Sequence, residues 1–234
     1  MNKEEFIEEL RKININITNI QLEQLGKYYQ QLIVENKKYN LTSITEKEDI
    51  YLKHFYDSLT IAKVIELSNQ SLCDIGTGAG FPGLVLKIVF PNLKVTLVDA
   101  TEKKCNFLKM IIEELDLKEI EVINERAEIY SKEVREKYDI VTSRAVAPLK
   151  HLLEYSIPLV KVNGCYIAMK SDITKEIDNI NIYEKLLNIT KINETKFYLP
   201  KENSLRTLIV YKKNKETDSK YPRKYNEIKK KCLS

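Results

Sequence analysis

The 234-residue chain is 43% hydrophobic and 31% charged, with 38 Lys or Arg against 34 Asp or Glu. That length suits one α/β domain with an appendage; no stretch approaches the roughly 20 apolar residues of a membrane-spanning helix, and Met1-Asn2-Lys3-Glu4-Glu5 does not open a signal peptide. Four scattered cysteines (Cys73, Cys105, Cys165, Cys232), no C-x-x-C pair and only two histidines argue against a zinc site or a disulfide framework, and for a metal-free protein of the reducing cytoplasm.

Lys3 to Arg11 and Thr18 to Lys38 read as helices; in the second, Leu22, Leu25, Tyr29, Leu32 and Ile33 recur at helical spacing behind a Thr18 or Asn19 cap. Tyr39-Asn40-Leu41-Thr42-Ser43 breaks the rhythm, and a helix resumes from Asp49 to Ile65 carrying His54 and Asp57. A short strand ends at Ile75, a glycine-rich loop follows, and Leu84, Val85, Ile88 and Val89 read as a helix. Then come a strand at Lys94–Asp99, a helix from Lys103 to Leu115, and short strands at Glu121–Ile123 and Asp139–Thr142. Leu149 to Val160 is expected as helix, Tyr166–Met169 as strand, and about Lys175 to Asn188 as helix. The last two strands are expected at Lys196–Leu199 and Leu208–Tyr211.

This alternation predicts a mostly parallel sheet flanked by helices on both faces. The expected organisation is an N-terminal helical cap over 1–66, a sheet domain over 67–212 and a basic tail over 213–234. From Tyr211 onward nine Lys or Arg stand against three acids, a net +6 that leaves −2 for the rest of a +4 chain. Tyr211, Tyr221 and Tyr225 lie among those cations, a mixture that suits a phosphate backbone and exposed bases; a merely solvated tail is the open alternative.

The loop after the first strand carries the most chemistry: Asp74-Ile75-Gly76-Thr77-Gly78-Ala79-Gly80-Phe81-Pro82-Gly83. Gly78 to Gly83 matches the dinucleotide fingerprint G-x-G-x-x-G, but the turn should begin two residues earlier, at Gly76. Read from Gly76 the loop resembles the first motif of S-adenosylmethionine-dependent methyltransferases. Asp74 before it favours a cationic ligand over a diphosphate.

Ligand contacts in such sheets gather at the carboxyl ends of the strands. Asp99 ends the second strand, where it could accept from both ribose hydroxyls or cap the next helix. Arg126-Ala127-Glu128 follows the third; a backbone N–H there could meet an adenine nitrogen and Glu128 the exocyclic amine, with a surface acid as the alternative. Ser143-Arg144-Ala145 ends the fourth. The acid-or-Asn and Pro-Pro pattern of exocyclic-amine methyltransferases is missing there, and Cys105 and Cys165 lack the setting of a pyrimidine-C5 nucleophile. An acceptor that is already nucleophilic, such as guanine N7, needs only positioning and charge stabilisation. Arg144 could hold guanine or phosphate, or serve as a structural ion-pair partner.

The loop through Phe81-Pro82-Gly83, Val98-Asp99 with Lys103-Lys104, Ser143-Arg144-Ala145 and Met169-Lys170 together resemble the bacterial 16S rRNA guanine-N7 methyltransferases, the glucose-inhibited division protein B family. Asn40-Leu41-Thr42-Ser43-Ile44, His54-Phe55-Tyr56-Asp57-Ser58-Leu59, Leu205-Arg206-Thr207-Leu208 and Tyr221-Pro222-Arg223-Lys224 extend the resemblance over nearly the whole chain. It implies a class I, Rossmann-like fold, S-adenosyl-L-methionine as cofactor, and 16S rRNA or the small ribosomal subunit as partner; a monomer is expected, though the sequence does not fix the oligomeric state. By position it assigns cofactor contacts to Gly76, Phe81, Ala127, Glu128 and Arg144, beside Asp74, Gly78, Gly80 and Asp99 from the motif. Positioning candidates are Arg144, Lys170 and Asp57; RNA-binding candidates are Asn40, His54, Lys170, Arg206, Arg223 and Lys224. His54 and Asp57 are also read as a hydrogen-bond network docking the cap. The chain departs from the family after Tyr-Pro-Arg-Lys, where Tyr225-Asn226-Glu227 replaces the common Gly-x-Pro.

Overall fold

A computed structural model describes every residue except Ala145, Lys175, Lys231, Cys232 and Ser234. The chain forms seven strands: β1 (Ser71–Ile75), β2 (Lys94–Asp99), β3 (Ile120–Asn124), β4 (Tyr138–Arg144), β5 (Val160–Lys170), β6 (Ile189–Tyr198) and β7 (Leu205–Lys213). They form one sheet in the order β3-β2-β1-β4-β5-β7-β6. The β3-β2-β1-β4-β5 ladder is parallel, and β7 and β6 close it antiparallel. Strand order reverses between β1 and β4, and a crevice opens outside the carboxyl ends of strands at such a reversal.

The helices are α1 (Lys3–Lys12), α2 (Asn19–Tyr39), α3 (Lys47–Asp49), α4 (Asp57–Leu59), α5 (Gly83–Val89), α6 (Glu102–Glu114), α7 (Ala127–Glu133), α8 (Leu149–Ser156), α9 (Ile180–Leu186) and α10 (Tyr225–Lys230). Asn2 and Thr18 start α1 and α2 through reciprocal capping boxes with Glu5 and Gln21, which satisfy amides that have no partner inside the helix. Alternation along the strands then builds two cores. Leu72, Ile167 and Met169 face one side, packed with α1, α2, α5 and α6 residues such as Leu10, Tyr28, Leu84 and Leu108. Cys73, Tyr166 and Ala168 face the other, packed against Leu152, Leu153 and Tyr183 of α8 and α9. The N-terminal helices therefore share one continuous core with the sheet.

Several expected elements are corrected. The helix expected from Asp49 to Ile65 is composite: α3, a π-helical Ile50–Tyr56, α4 and a 3-10 turn at Thr60–Lys63. Six of the seven π-helical residues are buried, so apolar periodicity could not reveal the change of winding. The helix expected to reach Val160 stops at Ser156, gives way to a 3-10 turn containing Pro158, and leaves Val160 to open β5. The helix expected from Lys175 to Asn188 shrinks to α9, with Lys175 outside the described residues. Strand β6 starts seven residues before the expected Lys196 and ends at Tyr198. As an edge strand its side chains are mostly exposed, and pairing with β7 needs no apolar face.

Candidate active site

The glycine loop is held from below. Asp74 is fully buried, and its Oδ2 accepts from Thr77 Oγ1 at 2.6 Å and from the Gly83 amide at 2.8 Å. Burial pushes its carboxyl up to about 6, against the opposing pull of those two hydrogen bonds and of the Arg144 charge. Its Oδ1 has no partner among the described residues. The loop takes positive φ at Gly76, Gly78 and Gly80, and the Tyr28 hydroxyl of α2 donates to the Ala79 carbonyl, tying the N-terminal helices to the loop.

A cavity of about 720 Å³ opens beside this loop, at the carboxyl ends of β1, β2 and β4. Gly76, Asp99, Ala127, Glu128 and Arg144 line it, so the structure brings these expected residues together. Asp99 Oδ2 accepts from the Gly78 amide at 2.9 Å, and Oδ1 from the Thr101 amide at 2.8 Å. Each oxygen keeps a second lone pair. Glu128 lies in the first turn of α7 and is 7% exposed; its Oε1 accepts from Arg126 Nε at 2.5 Å. Asp74, Gly78, Gly80 and Phe81 are not among the lining residues. Asp74 is a support beneath the loop. Phe81 lies in an aromatic column, its ring 4.2 Å from that of His54 and 5.6 Å from that of Tyr28.

A second cavity, of about 330 Å³, lies on the other side of Arg144 and is lined by Lys53, His54, Asp57, Lys170 and Arg206. Arg144 borders both cavities. Its guanidinium lies 5.2 Å from the Phe81 ring centre and donates to the Lys53 carbonyl at 2.9 Å and to Asp57 Oδ2 at 3.4 Å. Arg206 Nε reaches both oxygens of Asp57, at 3.1 and 3.0 Å. Asp57, 4% exposed, thus serves two cations at once.

His54 completes the network. Arg144 has only donors, so Nδ1 of His54 accepts from it at 3.2 Å; Nε2 must then carry the proton and donate to Thr42 Oγ1 at 2.8 Å. Burial, reinforced by the Arg144 charge, pushes the imidazole down to about 3. Lys170 donates to the Ala147 carbonyl at 2.9 Å and pairs with Glu176 at 2.8 Å, bracing the segment after β4 against the end of β5.

Two of the RNA-binding candidates hold structural positions in the fold. Asn40 is not among the residues lining the smaller cavity: it is exposed and ends α2 in the left-handed conformation, a position that Asn tolerates well. Arg223 grips Glu154, with Nε and Nη2 at 2.9 Å from the two carboxylate oxygens. The tail is correspondingly not a solvated arm: Lys213 is fully buried, donating to Glu136 and to the Ile157 and Val160 carbonyls. Lys224 remains exposed. Residues that sequence reasoning missed include Thr42, Tyr28 and, in the wall of the larger cavity, Tyr225 and Lys229. The i, i+4 spacing of the last two was their one local signal.

The family model for rRNA small subunit methyltransferase G, GidB, matches residues 21–208. Proteins named Ribosomal RNA small subunit methyltransferase G from Bacillus cytotoxicus and from Bacillus cereus are each 46% identical over 228 residues, 96% of this chain and 95% of theirs. Among solved structures, M. jannaschii TYW2 in complex with AdoMet superposes with a TM-score of 0.55 at 12% identity, covering 72% of this chain and 77% of that one. A SAM dependent methyltransferase from Aquifex aeolicus gives 0.53 at 15% identity, covering 76% and 97%. At these identities the structural likeness is one of fold: a Rossmann-like sheet flanked by helices.

Proposed function

The chain belongs to the rRNA small subunit methyltransferase G family, and from that premise we propose that it transfers a methyl group from S-adenosylmethionine to N7 of one guanine in 16S rRNA, as a cytoplasmic monomer. One observation carries the reading: Arg144 is the common wall of two cavities, a larger one beside the glycine loop and a smaller one rich in cations. A cofactor in the first and a nucleobase in the second would meet at that wall.

The residues of the larger cavity fit an adenosyl ligand. Its volume of about 720 Å³ lies in the range of small-molecule pockets, roughly 300–1,000 Å³. Asp99 retains lone pairs for ribose hydroxyls, and the Ala127 amide and Glu128 are available to an adenine edge. Carboxylates at Asp99 and Glu128 in the cavity wall suit a positively charged ligand. When bound, S-adenosylmethionine supplies an electrophilic methyl group on a sulfonium.

On the acceptor side, Arg144 is held rigid by its Lys53, Asp57, His54 and Phe81 contacts, and rigid positioning is the main requirement for in-line attack. Guanine N7 has its lone pair in the ring plane, so no proton has to leave before attack. His54 has both ring nitrogens engaged and no lone pair to offer, which supports transfer without a general base. Arg206, Lys170 and Lys53 border the acceptor cavity, with donors for phosphate or for guanine O6.

The test is methylation of 16S rRNA and of small subunits from a strain lacking this protein, using tritiated S-adenosylmethionine. Borohydride–aniline cleavage, which cuts at 7-methylguanosine, should give one new site. Label found on an exocyclic amine, or no label in either RNA, overturns the proposal.

A further inference from the structure

Among its described residues the basic C-terminal segment stays on the domain, and its Tyr225 and Lys229 line the larger cavity. Arg135 binds the Thr217 carbonyl at 2.6 Å and the Tyr221 carbonyl at 2.7 Å. Arg223 binds Glu154 through its backbone amide as well as its guanidinium. Beyond α10, the Leu233 amide donates to the Tyr183 hydroxyl at 3.0 Å. Between these anchors α10 buries Ile228 and presents Tyr225 and Lys229, one turn apart, to the cavity.

Tyr225 sits at the adenine side of the cavity. The Arg126 guanidinium lies 4.4 Å from its ring centre, and Arg126 in turn donates to Glu128, which shares the cavity wall with Ala127. Ring, guanidinium and carboxylate thus form a chain from the tail to the residues that would face an adenine. Tyr225 is 38% exposed while lining the cavity, so it has aromatic surface left for a flat ligand. It opens the helix at the point where the sequence departs from the family's Gly-x-Pro.

We infer that Tyr225, carried on α10, is a binding residue of the cofactor pocket, so that the tail sets affinity for adenosyl ligands instead of acting as a free RNA-binding arm. The inference rests on the reading that the larger cavity holds the cofactor. Calorimetric titration of the full chain with S-adenosylmethionine and S-adenosylhomocysteine, without RNA, tests it. Tyr225→Ala should weaken both about tenfold, the scale of one lost aromatic contact, while Tyr225→Phe stays within about twofold. Thermal unfolding should show Tyr225→Ala folded, because the ring is partly exposed and not core. If Asp99→Ala weakens binding and Tyr225→Ala does not, the role of the tail is overturned and the pocket stands. If neither weakens it, the pocket reading itself falls. If Tyr225→Ala weakens 16S rRNA binding and leaves both titrations unchanged, the tail is an RNA arm and the inference is overturned.

Discussion

Arg144 donates a hydrogen bond to Nδ1 of His54 across 3.2 Å, which requires that ring nitrogen to carry no proton. The pairing locks a neutral imidazole between the cation and Thr42, stacked on Phe81, and in doing so it fixes the wall between the two cavities. With both ring nitrogens engaged, His54 has no free lone pair with which to take up a proton. The docking network also read from the sequence is the arrangement found.

This network shapes stability against pH. The folded imidazole is down at about 3, so below its ordinary value near 6.5 only the unfolded chain takes up that proton, and stability is lost as pH falls toward 3. Asp74 acts oppositely: its folded carboxyl is up at about 6 against an ordinary 3.8, so stability is gained as pH falls through 6 toward 3.8. Each slope is at most about 1.4 kcal/mol per pH unit. Urea unfolding of the cofactor-free protein between pH 7 and pH 5 should therefore show His54→Gln gaining stability relative to wild type, and Asp74→Asn losing it.

Asp57→Asn should damage both stability and transfer. Two guanidiniums would lose their shared counter-charge, a loss of about 3 kcal/mol for a largely buried pair. Arg144 would lose a fixed contact, and a misplacement of about 1 Å is enough to reduce transfer roughly 100-fold. Asp57 lies outside the larger cavity, so calorimetry should find S-adenosylmethionine affinity within about threefold of wild type.

Gly78 and Gly83 are required for different reasons, and two substitutions separate them. Gly78 has φ +62 with open space where a Cβ would go; Asn accepts such a conformation, so Gly78→Asn should cost under about 1 kcal/mol. At Gly83 a Cβ would collide with Leu97 Cδ2 and lie 2.8 Å from Asp74 Cβ. Gly83→Ala should cost about 1–3 kcal/mol or more through overpacking, measured by thermal unfolding.

The tail anchor should be strongly stabilising. Glu154 is fully buried, so Arg223→Ala would strand its carboxylate at about 3–5 kcal/mol. Replacing both partners with apolar residues, Arg223→Met with Glu154→Leu, should recover most of that loss in urea unfolding. Lys224→Ala, an exposed neighbour, should change stability by under about 0.5 kcal/mol.

Local pattern made the strand–helix alternation legible, together with the loop at Gly76 and the cavity residues Asp99, Ala127, Glu128 and Arg144. Leu72 and Cys73, for example, go to opposite cores because neighbouring strand residues always do. Glycines at a strand end announce a turn whatever packs around it. Polar edge strand β6 and the π-helical stretch carry no such periodic signal, so their limits are not legible in the sequence.

What the sequence by itself determined was the sheet, its ligand-bearing edge and, through motifs in order, the family. Tertiary structure alone decided which charge meets which. Arg223 and Arg144 are both arginines near motif residues, yet one is spent on buried Glu154 and the other stands between two cavities. Likewise Asp74 and Asp99 both lie at the carboxyl ends of neighbouring strands, one residue before the end of β1 and at the end of β2, yet one is sealed beneath the loop while the other opens to the cavity. Residues 69 positions apart become partners only when the chain closes on itself, and burial then sets which charges are neutralised and which remain available.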